Sequence, residues 1–501
     1  MSKSRTLPYV DYMNLHNEVT GSGNILIVNF PNKVTRKILI DYGMFQEKQY
    51  EDLNQISNET NLEDIDYVFV THNHLDHVGK LPLLTKNGYS GKVYCTEITK
   101  KAIHISLMNT VKIISNNKNE KPIYSKQDVN ALISRLTVIN YNETLKLDEY
   151  VSVTLLSNSH LGGACMVFLS ISYDGMQDRN YLFTGDYKHT NRFYKVPKIP
   201  GWVFNKKINA IITESTYGYQ KSFEIKRNFR DDLEKLLLDD KINTIFIASI
   251  SQERPLSIFR ELYLLQKNNI LDEDVEIFYD SPLGIKYYED IYTKYADFVI
   301  PKNLIFLNKK THDELVLDIQ EKPYKKRIVI AASGMLDHGR ARDFLKLFIE
   351  DPSKAFFITC FTPEGTLANE ILNNQSSTIK IDGIIYNICA KFFSTSQFSQ
   401  HDFSDDLIRF FKKFLFVDNI FINHGSNYAK QCLFEEIKKD EHFKNINVEI
   451  MSRDKFIRIN SKNEIKIFNS KFNKNSNTNL KRKKQKRTKI YSLSKIYRWY
   501  K

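Results

Sequence analysis

An α/β architecture with two cores is predicted by three features of this sequence. Short β-branched runs alternate with helical stretches along most of the chain, the pattern of strands buried between helices. A loop dense in metal-type ligands, THNHLDHVG at residues 71 to 79, follows directly on the apolar run IDYVFV at 65 to 70, where the end of a sheet strand would hold it. Finally, 501 residues with 42% hydrophobic and 13% aromatic content exceed one ordinary domain and suffice for two cores.

The ligand loop places His72, His74, Asp76 and His77 within six positions. Neutral imidazoles and carboxylates are what Zn²⁺ and similar ions bind, and the i, i+2 spacing aims His72 and His74 the same way while the chain is extended. Asp76 and His77 come where VGKLPLL can begin a helix, so they approach from another direction, close enough to serve a second ion. Two ions held by one loop are the equipment of a hydrolase.

The spacing HxHxDH followed by Gly79 resembles the signature of the metallo-β-lactamase superfamily. His160 in LLSNSHLGGACMVFL, Asp186 in NYLFTGDYKH and His424 in NIFINHGSN each follow an apolar, strand-like run, as that family's further ligands do. The resemblance implies His72, His74 and His160 on one ion, Asp76, His77 and His424 on the other, and Asp186 bridging both. Asp41 in KILIDYG matches the carboxylate that stands behind the ligands. Two Zn²⁺ ions are implied, with Mn²⁺ admitted by the carboxylates. A lone histidine is more often a satisfied core or loop residue, and His16, His104, His189, His312 and His442 are read so; His338 is left open.

Between Asp186 and His424 lie 237 residues, far more than one strand-helix unit requires. Glu214 opens ESTYG after the apolar run INAII, and ESTYG resembles the first motif of the β-CASP group, the nucleic-acid-processing branch of the superfamily. Further matches follow in order: DSPLGIK at 280 to 286, AASGMLDHGRAR at 331 to 342, PEGTLANEIL at 363 to 372 and FSQHDFSDDL at 398 to 407. The last resembles the second motif and nominates His401; INHGS, with His424, resembles the third. The resemblance implies catalytic roles for Asp76, Glu214 and His401 and nucleic-acid contacts from Ser333 and Arg340. EVTGSGN at 18 to 24, Ser426 and SISQERPLSIF at 249 to 259 depart from the family pattern, so substrate-end preferences are not carried over.

The implied architecture is an αββα metallo-β-lactamase sandwich with an inserted β-CASP α/β domain. Residues 1 to 214 and 395 to 460 would form the sandwich, 215 to 394 the insert, and 461 to 501 a flexible basic, Asn/Lys-rich tail. Within the insert, the runs TIFIASI, VEIFYD, RIVIAAS and AFFITC alternate with the helical stretches DDLEKLLL, YYEDIYTKY and ARDFLKLFIE, as a parallel sheet demands.

The net charge of +13 is concentrated at one end. Residues 471 to 501 carry 12 Lys or Arg and no acid, leaving 60 basic and 59 acidic side chains elsewhere. Lys481, Arg482, Lys483, Lys484, Lys486 and Arg487, with Trp499 among the terminal aromatics, could neutralise phosphates and stack bases, so a nonspecific nucleic-acid arm is expected. Five cysteines without paired spacing, Cys95, Cys165, Cys360, Cys389 and Cys432, read as thiols of a reducing compartment. The N-terminal MSKSRTLPYVDYMN lacks an apolar signal segment, and no run approaches the roughly 20 apolar residues that span a bilayer. A soluble cytoplasmic protein without membrane contact is expected.

The function implied is a metal-dependent ribonuclease in which a water activated by two metals attacks the phosphodiester, leaving 5′-phosphate and 3′-OH. Glu214 with His401 would supply the proton to the departing oxygen. The RNA preference rests on the histidine of the third motif and on similarity to the cleavage and polyadenylation endonuclease type and its bacterial and archaeal relatives. Endonucleolytic and exonucleolytic modes both stay open, as do a homodimer and a subunit of a processing complex. The alternatives are a DNA nuclease of the same group and a noncatalytic RNA-binding scaffold, although such scaffolds commonly lose the ligands that are all intact here. A small-molecule hydrolase would have no reason for the insert, and a diiron protein would usually carry glutamate in place of His74.

Overall fold

The computed structural model describes residues 8–469 apart from 17, 47, 56–63, 117–121, 174–176, 225–227, 361, 363–364 and 374–376. The tail residues Lys481, Arg482, Lys483, Lys484, Lys486, Arg487 and Trp499 lie outside the described residues. The chain forms two compact units. Among the described residues, one takes 8–191, Lys195–Ser222 and 400–469; the other takes Arg192–Tyr194 and Phe223–Ser399.

The first unit is built on two sheets. Tyr9–Asn14, Asn24–Asn29 and Thr35–Ile40 run as an antiparallel meander, and Tyr67–Phe69, Val93–Cys95 and Leu136–Val138 continue it in parallel. Lys455–Ile459 and Ile465–Asn469 complete this eight-stranded sheet at its other edge. The second sheet has seven strands, ordered Asn447–Ile450, Asn419–Ile422, Ala210–Thr213, Arg179–Phe183, Cys165–Ile171, Val151–Ser157 and Thr144–Lys146.

Side chains alternate across each strand, so each sheet offers one set of residues to the other. Val10, Tyr12, Val28, Ile38 and Ile40 of the first sheet pool with Val153, Val167, Tyr181, Phe183, Ile212 and Phe421 of the second in one buried core. The alternate residues of the second sheet, among them Phe168, Leu182, Ile211 and Ile420, pack under Leu407, Phe410 and Phe411 of helix Ser404–Phe411 and Leu433 and Ile437 of helix Asn427–Lys439. These layers give the αββα sandwich.

The second unit carries the inserted α/β domain. Its main sheet has six strands, all parallel, ordered Leu304–Phe306, Glu276–Asp280, Arg327–Ala331, Thr244–Ala248, Lys354–Ile358 and Lys391–Ser394, and Thr378–Ile381 pairs with Ile384–Asn387 in a separate antiparallel hairpin. Three strands of the main sheet, RIVIA, TIFIA and KAFFI, are buried at every position, as strands covered on both faces must be.

The boundaries differ in detail from those expected. Residues 215 to 222 stay with the sandwich because Ser215 N donates to the His424 carbonyl at 2.8 Å and Tyr217 bridges to Phe403. Residues 395 to 399 belong to the inserted unit. Within the tail expected from 461, Ile465–Asn469 is a strand whose Phe468 stacks on Phe456 at 4.8 Å, and residues 470–501 lie outside the described residues. Among the described residues no helix is long and apolar enough to cross a membrane.

Phe421 is fully buried and stacks on Tyr12 at 5.5 Å between the two sheets. Phe421→Ala is expected to cost about 3 to 5 kcal/mol in the unfolding of the sandwich unit. Urea denaturation measures it, and a cost under about 1 kcal/mol would show that this ring is not central to the core.

Candidate active site

Four strands of the sandwich deliver the ligand set from their ends. His72 and His74 follow Tyr67–Phe69, and Asp76 and His77 occupy the single helical turn Leu75–Val78. His160 follows Val151–Ser157, Asp186 follows Arg179–Phe183 and His424 follows Asn419–Ile422. Thr35–Ile40 and Ala210–Thr213 add Asp41 and Glu214 at their ends.

The structure brings His72, His74, Asp76, His77, His160, Asp186 and His424 together in two donor groups. In the first, His74 Nδ1 lies 3.1 Å from His72 Nε2 and 3.2 Å from His160 Nε2. Asp186 Oδ2 completes it, 3.5 Å from His72 Nε2 and 3.7 Å from His160 Nε2. In the second, His77 Nε2 and His424 Nε2 are 3.1 Å apart. Asp186 Oδ1 lies 3.1 Å and 3.3 Å from them, and Asp76 Oδ2 lies 3.6 Å from His424 Nε2. Each oxygen of Asp186 therefore faces a different donor group.

These spacings fit a metal. Ligands about 2.0 to 2.1 Å from one tetrahedral ion stand about 3.3 Å apart, and buried nitrogens and carboxylate oxygens at that separation are a divalent cation's donor set. Three of the histidines are also oriented for it. Thr71 Oγ1 donates to Asp41 Oδ2 at 2.7 Å and lies 3.0 Å from His72 Nδ1, leaving Nε2 of His72 for an ion. His160 Nδ1 donates to the Gln400 carbonyl at 2.7 Å, and His77 Nδ1 lies 2.8 Å from Asp41 Oδ2. Burial pushes His72 and His160 well below the usual histidine range and His74 down to about 4, so these three rings are neutral near pH 7. For His77, burial also acts downward, but Asp186 and Asp41 outweigh it and hold the ring well above its ordinary value.

The chain is bent to make this geometry. Asp41 and His424 have φ of 61° and 41°, in the left-handed region that non-glycine residues seldom adopt. A Cβ on Gly43 would overlap the Asp76 carbonyl, so only glycine lets the Asp41 loop lie against the ligand turn.

Glu214 and His401 form a pair beside the donor groups. His401 Nδ1 lies 2.9 Å from Glu214 Oε2, and its Nε2 points toward Asp186 Oδ2 at 3.9 Å. The buried Glu214 carboxylate is fixed by the backbone amides of Tyr187 and, at 3.3 Å, Thr216. His401 keeps part of its ring exposed, as a group that meets a substrate must.

The metallo-beta-lactamase superfamily pattern matches residues 19–146 and the Beta-Casp domain pattern matches residues 256–371. The chain is a metallo-β-lactamase protein of the β-CASP group. It is 28% identical over 406 residues to a ribonuclease of Thermus thermophilus, a match covering 78% of this chain and 88% of that one. It is 27% identical over 343 residues to endoribonuclease ysh1 of Schizosaccharomyces pombe, covering 65% of this chain and 43% of that longer one. The fold is similar to the crystal structure of a protein of unknown function from Enterococcus faecalis V583, with TM-score 0.51 and 13% identity over 92% of this chain and 100% of the other.

Two nominated residues belong to the other unit, and some further participants carry no sequence motif. Ser333 and Arg340 belong to the inserted unit, where Ser333 is buried and Arg340 ion-pairs with the buried Asp280, which also holds His312 at 2.5 Å. His338 takes the N-cap position of helix Gly339–Phe348. His16 is buried behind the site of this β-CASP protein, and its Nε2 accepts the His424 N–H at 3.2 Å. His189 is tied to Asp402 at 2.8 Å, and Lys188 Nζ donates to the His401 carbonyl at 3.1 Å. These bonds clamp the loop of His401 to that of Asp186.

Two outcomes follow from this arrangement. Asp41→Asn removes the charge behind His77 and is expected to weaken metal retention about 10- to 100-fold, read by competition with a chelator. Because His77 is held protonated without metal, loading at pH 7 is expected to release about one proton per chain from it. Calorimetry in buffers of different protonation enthalpy measures this, and uptake without proton release would contradict it.

Proposed function

We propose that this protein hydrolyses RNA phosphodiesters as a two-metal ribonuclease, leaving 5′-phosphate and 3′-OH ends. The observation that carries the reading is the position of Asp186, one oxygen in each donor group, with His401 Nε2 facing the same carboxylate. The names of the relatives, a ribonuclease and an endoribonuclease, support RNA as the polymer.

His72, His74, His160 and Asp186 would hold one ion, and Asp76, His77, His424 and Asp186 the other, with Zn²⁺ as the expected metal and Mn²⁺ admitted by the carboxylates. Bound there, divalent ions lower the pKa of the attacking water and neutralise charge on the phosphate oxygens. The chain's own part is proton transfer. Glu214 holds His401 through Nδ1, so Nε2 is aimed to protonate the 3′ oxygen as its bond to phosphorus breaks and the bond from water forms. Because the P–O bond that breaks is the one to the 3′ oxygen, the phosphate stays on the 5′ end and the other product ends in 3′-OH.

The test is cleavage of single-stranded RNA labelled at either end, with added Zn²⁺ or Mn²⁺ and a matched DNA in parallel. His401→Ala is expected to lower kcat by about 100-fold or more while metal content stays full, and Asp186→Ala to lose both metal and cleavage. Metal-loaded wild-type protein that leaves every RNA intact would overturn the reading.

A further inference from the structure

Three tyrosine rings make a line that starts at the ring of His401 and runs out to solvent. Tyr217, three residues after Glu214, lies 6.1 Å from His401 and packs edge-on against Phe403 at 5.4 Å. Tyr219 follows at 6.2 Å from Tyr217, tilted by 34°, and Tyr428 at 6.0 Å from Tyr219, tilted by 37°. Exposure rises along the line, from 8% at Tyr217 to 41% at Tyr219 and 70% at Tyr428. All three belong to the sandwich unit.

The line is rigidly mounted. Tyr428 sits in the first turn of helix Asn427–Lys439, whose N-cap Ser426 accepts from Ala429 N, and this helix starts directly after His424. A Cβ on Gly218 would overlap the Ala429 carbonyl, so the segment bearing Tyr217 and Tyr219 lies directly against that helix start. Both ends of the line are thus fixed to residues of the active site, through Glu214 on one side and His424 on the other. Neither Tyr219 nor Tyr428 contributes to the sandwich core clusters, so packing does not account for two large exposed rings side by side.

We propose that Tyr219 and Tyr428, anchored by Tyr217, form a base-stacking subsite for the single-stranded nucleotides flanking the scissile phosphate. The inference rests on the nuclease reading: a strand that presents its phosphate to His401 has the adjoining, increasingly exposed rings beside it. Every base has a π-face, so such a subsite is tolerant of sequence and requires no local positive charge. It also gives the near-neutral body of the protein a means of holding a strand that does not depend on cationic side chains.

The experiment uses the full chain, metal-loaded, and a short single-stranded RNA in which one nucleotide at a time on either side of the cut is abasic. For wild type, abasic substitution at the stacked positions is expected to raise KM about 5- to 100-fold. Tyr219→Ala and Tyr428→Ala are each expected to raise KM for the intact strand by a factor in the same range, with the loss on KM rather than kcat. In those variants the abasic penalty should vanish, because the base has lost its partner, and Tyr219→Trp should restore it. Equal losses on intact and abasic strands would mean the rings act only structurally, and an unchanged KM would mean they touch no base; either overturns the subsite and leaves the nuclease reading standing. Wild-type protein that neither binds nor cuts the intact RNA would bring down both.

Discussion

Asp186 holds a carboxylate buried inside the sandwich, within 3.5 Å of His72, His77 and His424, and the site is arranged around that charge. Burial alone would raise its pKa, but His424, His77 and His72 pull it well below the carboxylate range, so it stays charged inside the sandwich. It is not alone: Asp41, Asp76 and Glu214 are equally buried. Four buried carboxylates in one site call for about four compensating charges, which two divalent cations would supply. The neutral rings of His72, His74 and His160 and the second carboxylates behind His77 and His401 read as one system built for that balance.

The same requirement shapes the backbone. The ligands come from the ends of strands in both sheets, so the centre joins the two sheets at one edge of the sandwich. Asp41 and His424 hold positive φ, and His424 is further fixed by the buried His16 behind it. Local strain of this kind persists only where surrounding contacts over-determine it, and here the bonds of Asp41 to Thr71 and His77, and of the His424 backbone to His16 and Ser215, do so. Metal affinity and stability of the sandwich are consequently linked, since a cation that satisfies these donors also ties the sheets together.

Much of this was legible in the sequence because the chemistry is locally compressed. His72, His74, Asp76 and His77 stand within six positions after a strand, and the fully buried runs of the insert have the apolar continuity of a parallel sheet. The Glu214–His401 pair was legible only through motif resemblance, because residues so distant in sequence carry no spacing signal of their own. His16, Thr71 and the Lys188–His401 bond left no local trace, since their roles arise only where distant loops meet. Strand Ile465–Asn469 was hidden for a different reason: an edge strand with exposed side chains lacks the buried alternation that marks a strand, and its lysine and asparagine content matches the tail that follows.

The most direct test of this account is the metal stoichiometry of the full chain, measured by native mass spectrometry after equilibration with Zn²⁺ and removal of free metal. The account predicts two divalent ions per chain, and His74→Ala, which touches only the first donor group, should leave the second ion in place. A chain that saturates without binding two ions would contradict the claim that Asp186 joins two metal sites.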